Sequence, residues 1–106
     1  MAITEKNMAV VKRHLNITWD DEDTNAKLEN IIKDARIALD HQLGISAGIE
    51  VNYFNPGMER RLFLAYILYA WNDALDEFDS AYKSEIIKLR GIYAVKRRRS
   101  KDEDQA

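Results

Sequence analysis

No cysteine occurs in the 106 residues, so neither a disulfide frame nor a Cys-ligated metal site is open to this chain. Proline occurs once and glycine four times, and 46% of residues are hydrophobic against 32% charged. That balance suits a soluble, helix-rich globular protein and argues against disorder. Histidine is equally scarce: His14 and His41 fall on different expected helices and read as surface or boundary residues. There is no Gly-rich phosphate loop, no HExxH and no nucleophile elbow, so nothing points to an enzyme, a metal or a cofactor. The longest uncharged apolar run, LFLAYILYAW from Leu62 to Trp71, is ten residues, well short of the roughly 20 that cross a bilayer. No membrane association is therefore expected. The N-terminus lacks the long apolar core of a signal peptide, which places the chain in the cytosol where it is made.

That ten-residue run is also the most informative feature present. A surface helix carries one apolar stripe, whereas Leu62–Trp71 is apolar or aromatic on every face. It needs partners all round. Asn55-Pro56 supplies a start signal, Asn as cap and Pro in the first turn, so a central helix is expected within 55–78. One domain of this length buries a modest core. Some of the aromatic surface, namely Tyr53, Phe63, Tyr66 and Trp71, is accordingly expected either to fill that core or to meet a neighbouring subunit, where aromatics are enriched.

The remaining elements follow from periodicity. Thr4 caps a first helix with Met8, Val11 and Leu15 on one stripe, and Asn16 ends it. Asp20, Asp21, Glu22 and Asp23 come next. An EF-hand loop begun at Asp21 fails at Ala26, where Gly is needed, and at Ile32, where Glu is needed. The run reads instead as the start of a second helix, with Asp20 as cap and acids at the positive end of the helix dipole, and with Ile17 and Trp19 as a staple. Leu28, Ile31, Ile32, Ala35, Leu39 and Leu43 then repeat at threes and fours until Gly44 stops the helix. In the connector, residues 44–55, Ile49, Val51 and Tyr53 alternate with polar residues, which predicts a short extended segment resting on the bundle or on another chain. A break at Asp79-Ser80 precedes a last helix from about Ala81, with Tyr82, Ile86, Leu89 and Tyr93 on one face and a weak point at Gly91. Asp73, Asp76 and Glu77 read as a solvated helix end. The expected architecture is thus all-α: about four helices around a central apolar helix, with a short extended connector between helices two and three. Residues 1–93 form the domain and 94–106 a charged, mobile tail.

Charge is unevenly spread. Residues 1–81 carry 8 basic and 14 acidic groups, a balance of −6; residues 82–101 carry 8 basic and one acidic, a balance of +7; the last five add −3. An acidic body with a basic arm suits contact with nucleic acid or with an acidic protein surface.

The stretch VVKRHLNITWDDEDTNAKLENIIKDARIALDHQLG, with Lys12, Leu15, Ile17, Asp21, Asp23, Leu28, Ile31, Ile32, Ala35, Leu43 and Gly44 in their places, resembles the start of phage head–tail connector proteins, also called head-completion or adaptor proteins. The second half is similar in order: a variable connector, a Pro-started helix with an aromatic-rich centre, and a short last helix. The resemblance spans about residues 5–93. It departs from the family at Tyr69-Ala70-Trp71-Asn72-Asp73, where the family often has Tyr-x-x-Arg, and in the long basic tail. The resemblance implies a structural subunit of the virion head–tail junction, assembled in the bacterial host cytoplasm. Copies, which can be monomeric when free, would form a homo-oligomeric ring under the portal protein after DNA packaging, extend the DNA channel and receive a stopper or tail-completion protein. Because family members meet the portal through C-terminal segments, Tyr93, Lys96, Arg97, Arg98 and Arg99 are the implied portal contacts. DNA would pass without sequence-specific binding, along or near the acidic second helix. The alternative is a small helical DNA-binding protein, a phage regulator or packaging subunit, using the same basic arm.

Overall fold

The computed structural model describes residues 3–45 and 49–105, with side chains through residue 96. It is all-α: α1 (Glu5–His14), α2 (Glu22–Gln42), α3 (Met58–Trp71) and α4 (Leu75–Gln105). No strand occurs among the described residues.

Three of the helices end by the same device. Asn16 (φ 59°), Gly44 (φ 66°) and Asp73 (φ 55°) take the left-handed conformation just past α1, α2 and α3. In each case the next residue's N–H reaches back five positions: Ile17 to the Lys12 carbonyl at 2.8 Å, Ile45 to Asp40 at 2.9 Å, and Ala74 to Tyr69 at 2.8 Å. These bonds satisfy carbonyls that a helix end leaves unpaired and turn the chain sharply.

Several boundaries differ from those the sequence suggests. The cap of α2 is Asp21, not Asp20: its carboxylate accepts from the Asp23 amide at 2.9 Å and the Thr24 hydroxyl at 2.8 Å. Asp20 instead accepts from Lys12 at 3.2 Å and from the Asn25 amide at 2.8 Å, tying the end of α1 to the start of α2. Ile17 is buried there, but Trp19 remains 50% exposed, so only half of the expected staple forms. Helix α3 starts at Met58, after Gly57 (φ 150°), rather than at Asn55-Pro56. The delay follows from packing. Tyr53 lies 5.0 Å and Phe54 5.3 Å, centroid to centroid, from Phe63, so the connector is pinned to α3 and must reverse before the helix begins.

The α3–α4 break falls at residues 72–74, not at Asp79-Ser80, and Phe78 belongs to α4. A continuous helix would carry Phe78 beyond the end of the bundle. Turning at Asp73 folds it back, with its ring 5.2 Å from Tyr66 and 5.9 Å from Tyr69. Asp79 and Ser80 consequently lie inside α4, where Asp79 accepts from Gln42 of α2 at 3.2 Å.

Helix α3 touches each of the other three helices. Leu62, Phe63, Ala65 and Ile67 are buried, and every remaining residue from Leu64 to Trp71 is at least half covered. They meet Val11 and Ile17, the α2 stripe of Leu28, Ile32, Ala35, Leu39 and Leu43, and Phe78, Leu89 and Tyr93 of α4 in one core. The alternation in the connector is visible in burial: Val51 and Tyr53 face the bundle, while Glu50 and Asn52 face solvent. Residues 46–48 of the connector lie outside the described residues.

Helix α4 continues through Gly91 to Gln105, so residue 94 is not marked by a break in the helix. What ends near residue 93 is the core, since neither Ala94, Val95 nor Lys96 is buried. A Cβ added at Gly91 would meet no atom within 4 Å. Gly91→Ala is therefore expected to stabilise the protein by about 0.5–1 kcal/mol, the helix-interior difference between the two residues. Thermal or urea unfolding measures it; a loss of stability would show that the glycine is needed for close approach.

Candidate interaction surfaces

The aromatic residues expected at a subunit boundary divide into two groups. Tyr53 and Phe63 have no exposed surface at all, so they build the core and offer nothing to a neighbour. Tyr66 and Trp71 are half-buried; Tyr66 packs edge-on to Phe78, and Trp71 lies under the Lys27 ammonium at 4.7 Å.

The implied portal contacts divide as well. Tyr93 is only 4% exposed. Its hydroxyl donates to Glu59 of α3 at 3.1 Å, and burial together with that carboxylate pushes its pKa up to about 12. It is a core residue that anchors α4. Lys96 is exposed, with its ammonium 5.1 Å from the Tyr93 ring centroid. The side chains of Arg97, Arg98 and Arg99 lie outside the described residues. Tyr53 makes a second anchor of the same kind: its hydroxyl donates to Asp40 at 2.6 Å, and burial first and Asp40 second raise its pKa strongly. The partners in these two bonds are 13 and 34 residues apart, so no local spacing in the sequence signals either.

The acidic turn is occupied by local structure. The Asn25 amide, then Lys12, hold the Asp20 carboxyl below its ordinary range; the Thr24 hydroxyl, then the Asp23 amide, do so for Asp21. These groups are capping and tying α2. Among the described residues no three His, Asp or Glu side chains converge in a way that would hold a metal ion. His14 and His41 are both exposed. No helix is long and apolar enough to cross a membrane among the residues described.

Two surface features remain. The first is on α4, where Ile87 (60%), Ile92 (47%) and Val95 (47%) are exposed among Lys83, Lys88, Arg90 and Lys96. Lys83, Ile87, Gly91 and Val95 follow at intervals of four and so share one face. The second is a groove of about 570 Å³ where the end of α2 meets α4, with Ile86 and Ile87 in its lining and His41, Lys83 and Arg90 as its nitrogenous groups. Its one carboxylate, Asp79, is bonded to Gln42, whose own side-chain oxygen is buried without a partner among the described residues. Neither feature is visible in the sequence as a motif; only the unused isoleucines on the basic helix hint at them.

Comparison with protein-family models, with curated proteins and with solved structures yields no match to this chain.

Proposed function

We propose that this protein is a structural subunit of a phage head–tail junction, one of a ring of copies seated under the portal, extending the DNA channel and receiving a stopper or tail-completion protein. The observation that carries the reading is the course of α4. Its core contacts end at Tyr93, yet its backbone stays helical for twelve more residues, to Gln105. That extension is roughly 18 Å long. It holds Lys96, Arg97, Arg98, Arg99 and Lys101 beyond a body, residues 1–93, whose 11 basic and 15 acidic groups balance at −4. A helical basic projection on an acidic bundle suits docking onto another protein's acidic surface. The resemblance of residues 10–44 to connector proteins supplies the identity of that partner as the portal. Site of action in the virion, and assembly in the host cytoplasm, follow from the same reading.

Removing residues 94–106 tests it. The core ends at Tyr93, so the truncated chain should keep its helical circular dichroism and cooperative unfolding while losing portal binding altogether. Undiminished binding by the truncated chain would refute the assignment of the arm.

The other reading, a DNA-binding protein, has one feature against it in the geometry. A helix-turn-helix places the first residues of its second helix against base edges. The turn at 72–74 leads into Asp76, Glu77 and Asp79, all exposed carboxylates that repel phosphate. The basic residues begin further along, from Lys83. Salt-dependent binding to duplex DNA, lost in a variant with Arg97, Arg98 and Arg99 changed to Ala, would transfer the reading to this alternative.

A further inference from the structure

We infer that copies of this chain join head to tail, the Trp19 corner of one copy seating in the α2–α4 groove of the next. The inference rests on the ring reading and deepens it by naming the two surfaces that meet.

The first surface is an exposed anchor. Trp19 is 50% exposed, yet its indole N–H donates to the Thr24 hydroxyl at 3.2 Å, which holds the ring in place. A large aromatic already fixed outside the core loses little side-chain freedom on binding, and Trp is the residue type that most often dominates interface energetics. The carboxylate of Asp21 accepts from the same Thr24 hydroxyl, and it, Glu22 and Asp23 are all exposed. Asp20 is balanced by Lys12, so the corner is net acidic.

The second surface is complementary in both respects. The groove has Ile86 and Ile87 for an apolar ring, and Lys83 and Arg90 for carboxylates. With one acid, Asp79, against Lys83 and Arg90, the lining keeps a net positive charge. An acidic aromatic corner and a basic apolar groove on the same chain fit each other in charge and in polarity.

Position then decides how they meet. Trp19 precedes α2, whereas His41 and Gln42 line the groove at the other end of that helix. A helix of 21 residues is about 30 Å long. One copy therefore cannot fill its own groove. Because donor and acceptor surfaces differ, the contact is heterologous: each copy gives a corner and receives one, and the series closes as a ring or continues as a filament. One aromatic buries about 150–250 Å², well below a standard interface, so the contact is weak for an isolated pair and is strengthened where many copies are held together.

Complementation between two broken copies provides the test, using full-length chains in sedimentation velocity up to about 1 mM. The wild type is expected to show a mass that rises with concentration beyond that of a dimer. Trp19→Ala breaks the corner and leaves the groove; Ile87→Asp breaks the groove and leaves the corner. Both positions are half exposed or more, so both variants should fold, which circular dichroism checks. Each alone should stay monomeric, its self-affinity lowered by about tenfold or more. Their mixture should form a 1:1 dimer and stop there, since only one intact corner and one intact groove remain. A wild type monomeric throughout, variants that associate as the wild type does, or a mixture that fails to pair would each overturn the inference. Portal binding by the chain lacking 94–106 is read separately, so this contact and the portal assignment can fail independently.

Discussion

Replacing Phe63 with Ala is expected to cost about 3–5 kcal/mol, the range for removing a buried Phe side chain. The position combines every reason for a large loss. Phe63 has no exposed surface and lies on the one helix that touches all the others. Its ring is the shared partner of Tyr53 at 5.0 Å and Phe54 at 5.3 Å, so truncation also frees the connector. Domains of this size are stable by about 5–15 kcal/mol. The variant should therefore unfold at a much lower urea concentration, with an unchanged or smaller slope. Loss of under about 1 kcal/mol would mean that the connector, not α3, closes the core. Ile87→Asp, on the exposed face of α4, is the matched control and should leave the midpoint nearly unchanged.

Raising the pH is expected to destabilise the protein chiefly through Tyr53 and Tyr93, with Tyr66, whose pKa burial also raises, adding to the same fall. Tyr53 and Tyr93 are both buried and both donate to carboxylates, Asp40 and Glu59. Each carboxylate needs the phenol proton, and the phenolate would face a negative charge out of water. The folded state therefore holds these protons more tightly than the unfolded chain, whose tyrosines titrate near 10. A raised folded-state pKa contributes stability that is fully present below the unfolded value and is lost as pH climbs through the folded one. For Tyr93 that window runs from 10 to about 12, and for Tyr53 it extends higher. Urea midpoints should be flat up to about pH 9.5 and should fall steadily above 10. In Tyr53→Phe the neutral-pH stability should drop, by about 1–2 kcal/mol, because Asp40 loses its donor. The alkaline fall should become shallower, because one titrating group is gone. An alkaline limb as steep in the variant as in the wild type would assign the effect to other groups.

These two experiments address different parts of the molecule. Phe63 reports on the seam between α3 and the connector. Tyr53 and Tyr93 report on how Asp40 of α2 and Glu59 of α3 hold the connector and the last core turn of α4. A stable anchor at Tyr93 is also what allows the rest of α4 to project as an arm.

Much of the architecture is determined by the sequence by itself. Period and caps establish an all-α chain: the threes and fours of Leu28 to Leu43, Thr4 as the cap of α1, and Asn16 and Gly44 as stops. A ten-residue run without a polar face establishes that Leu62–Trp71 lies at the centre. These properties are local, since a helix's stripe and its end signals depend on residues within a few positions of one another. Only the tertiary structure decided where α3 gives way to α4. Asp73 takes a left-handed turn that neither its residue type nor its neighbours demand, because folding back at that point buries Phe78 on Tyr66 and Tyr69. Tertiary contact also decided which aromatics are spent inside: Tyr53, Phe63 and Tyr93 are consumed by the core, while Trp19 is left at the surface. The tyrosine–carboxylate bonds and the α2–α4 groove join residues distant in the chain, so no spacing encodes them. Burial is a property of what arrives from elsewhere, and a side chain's own character cannot say whether anything does.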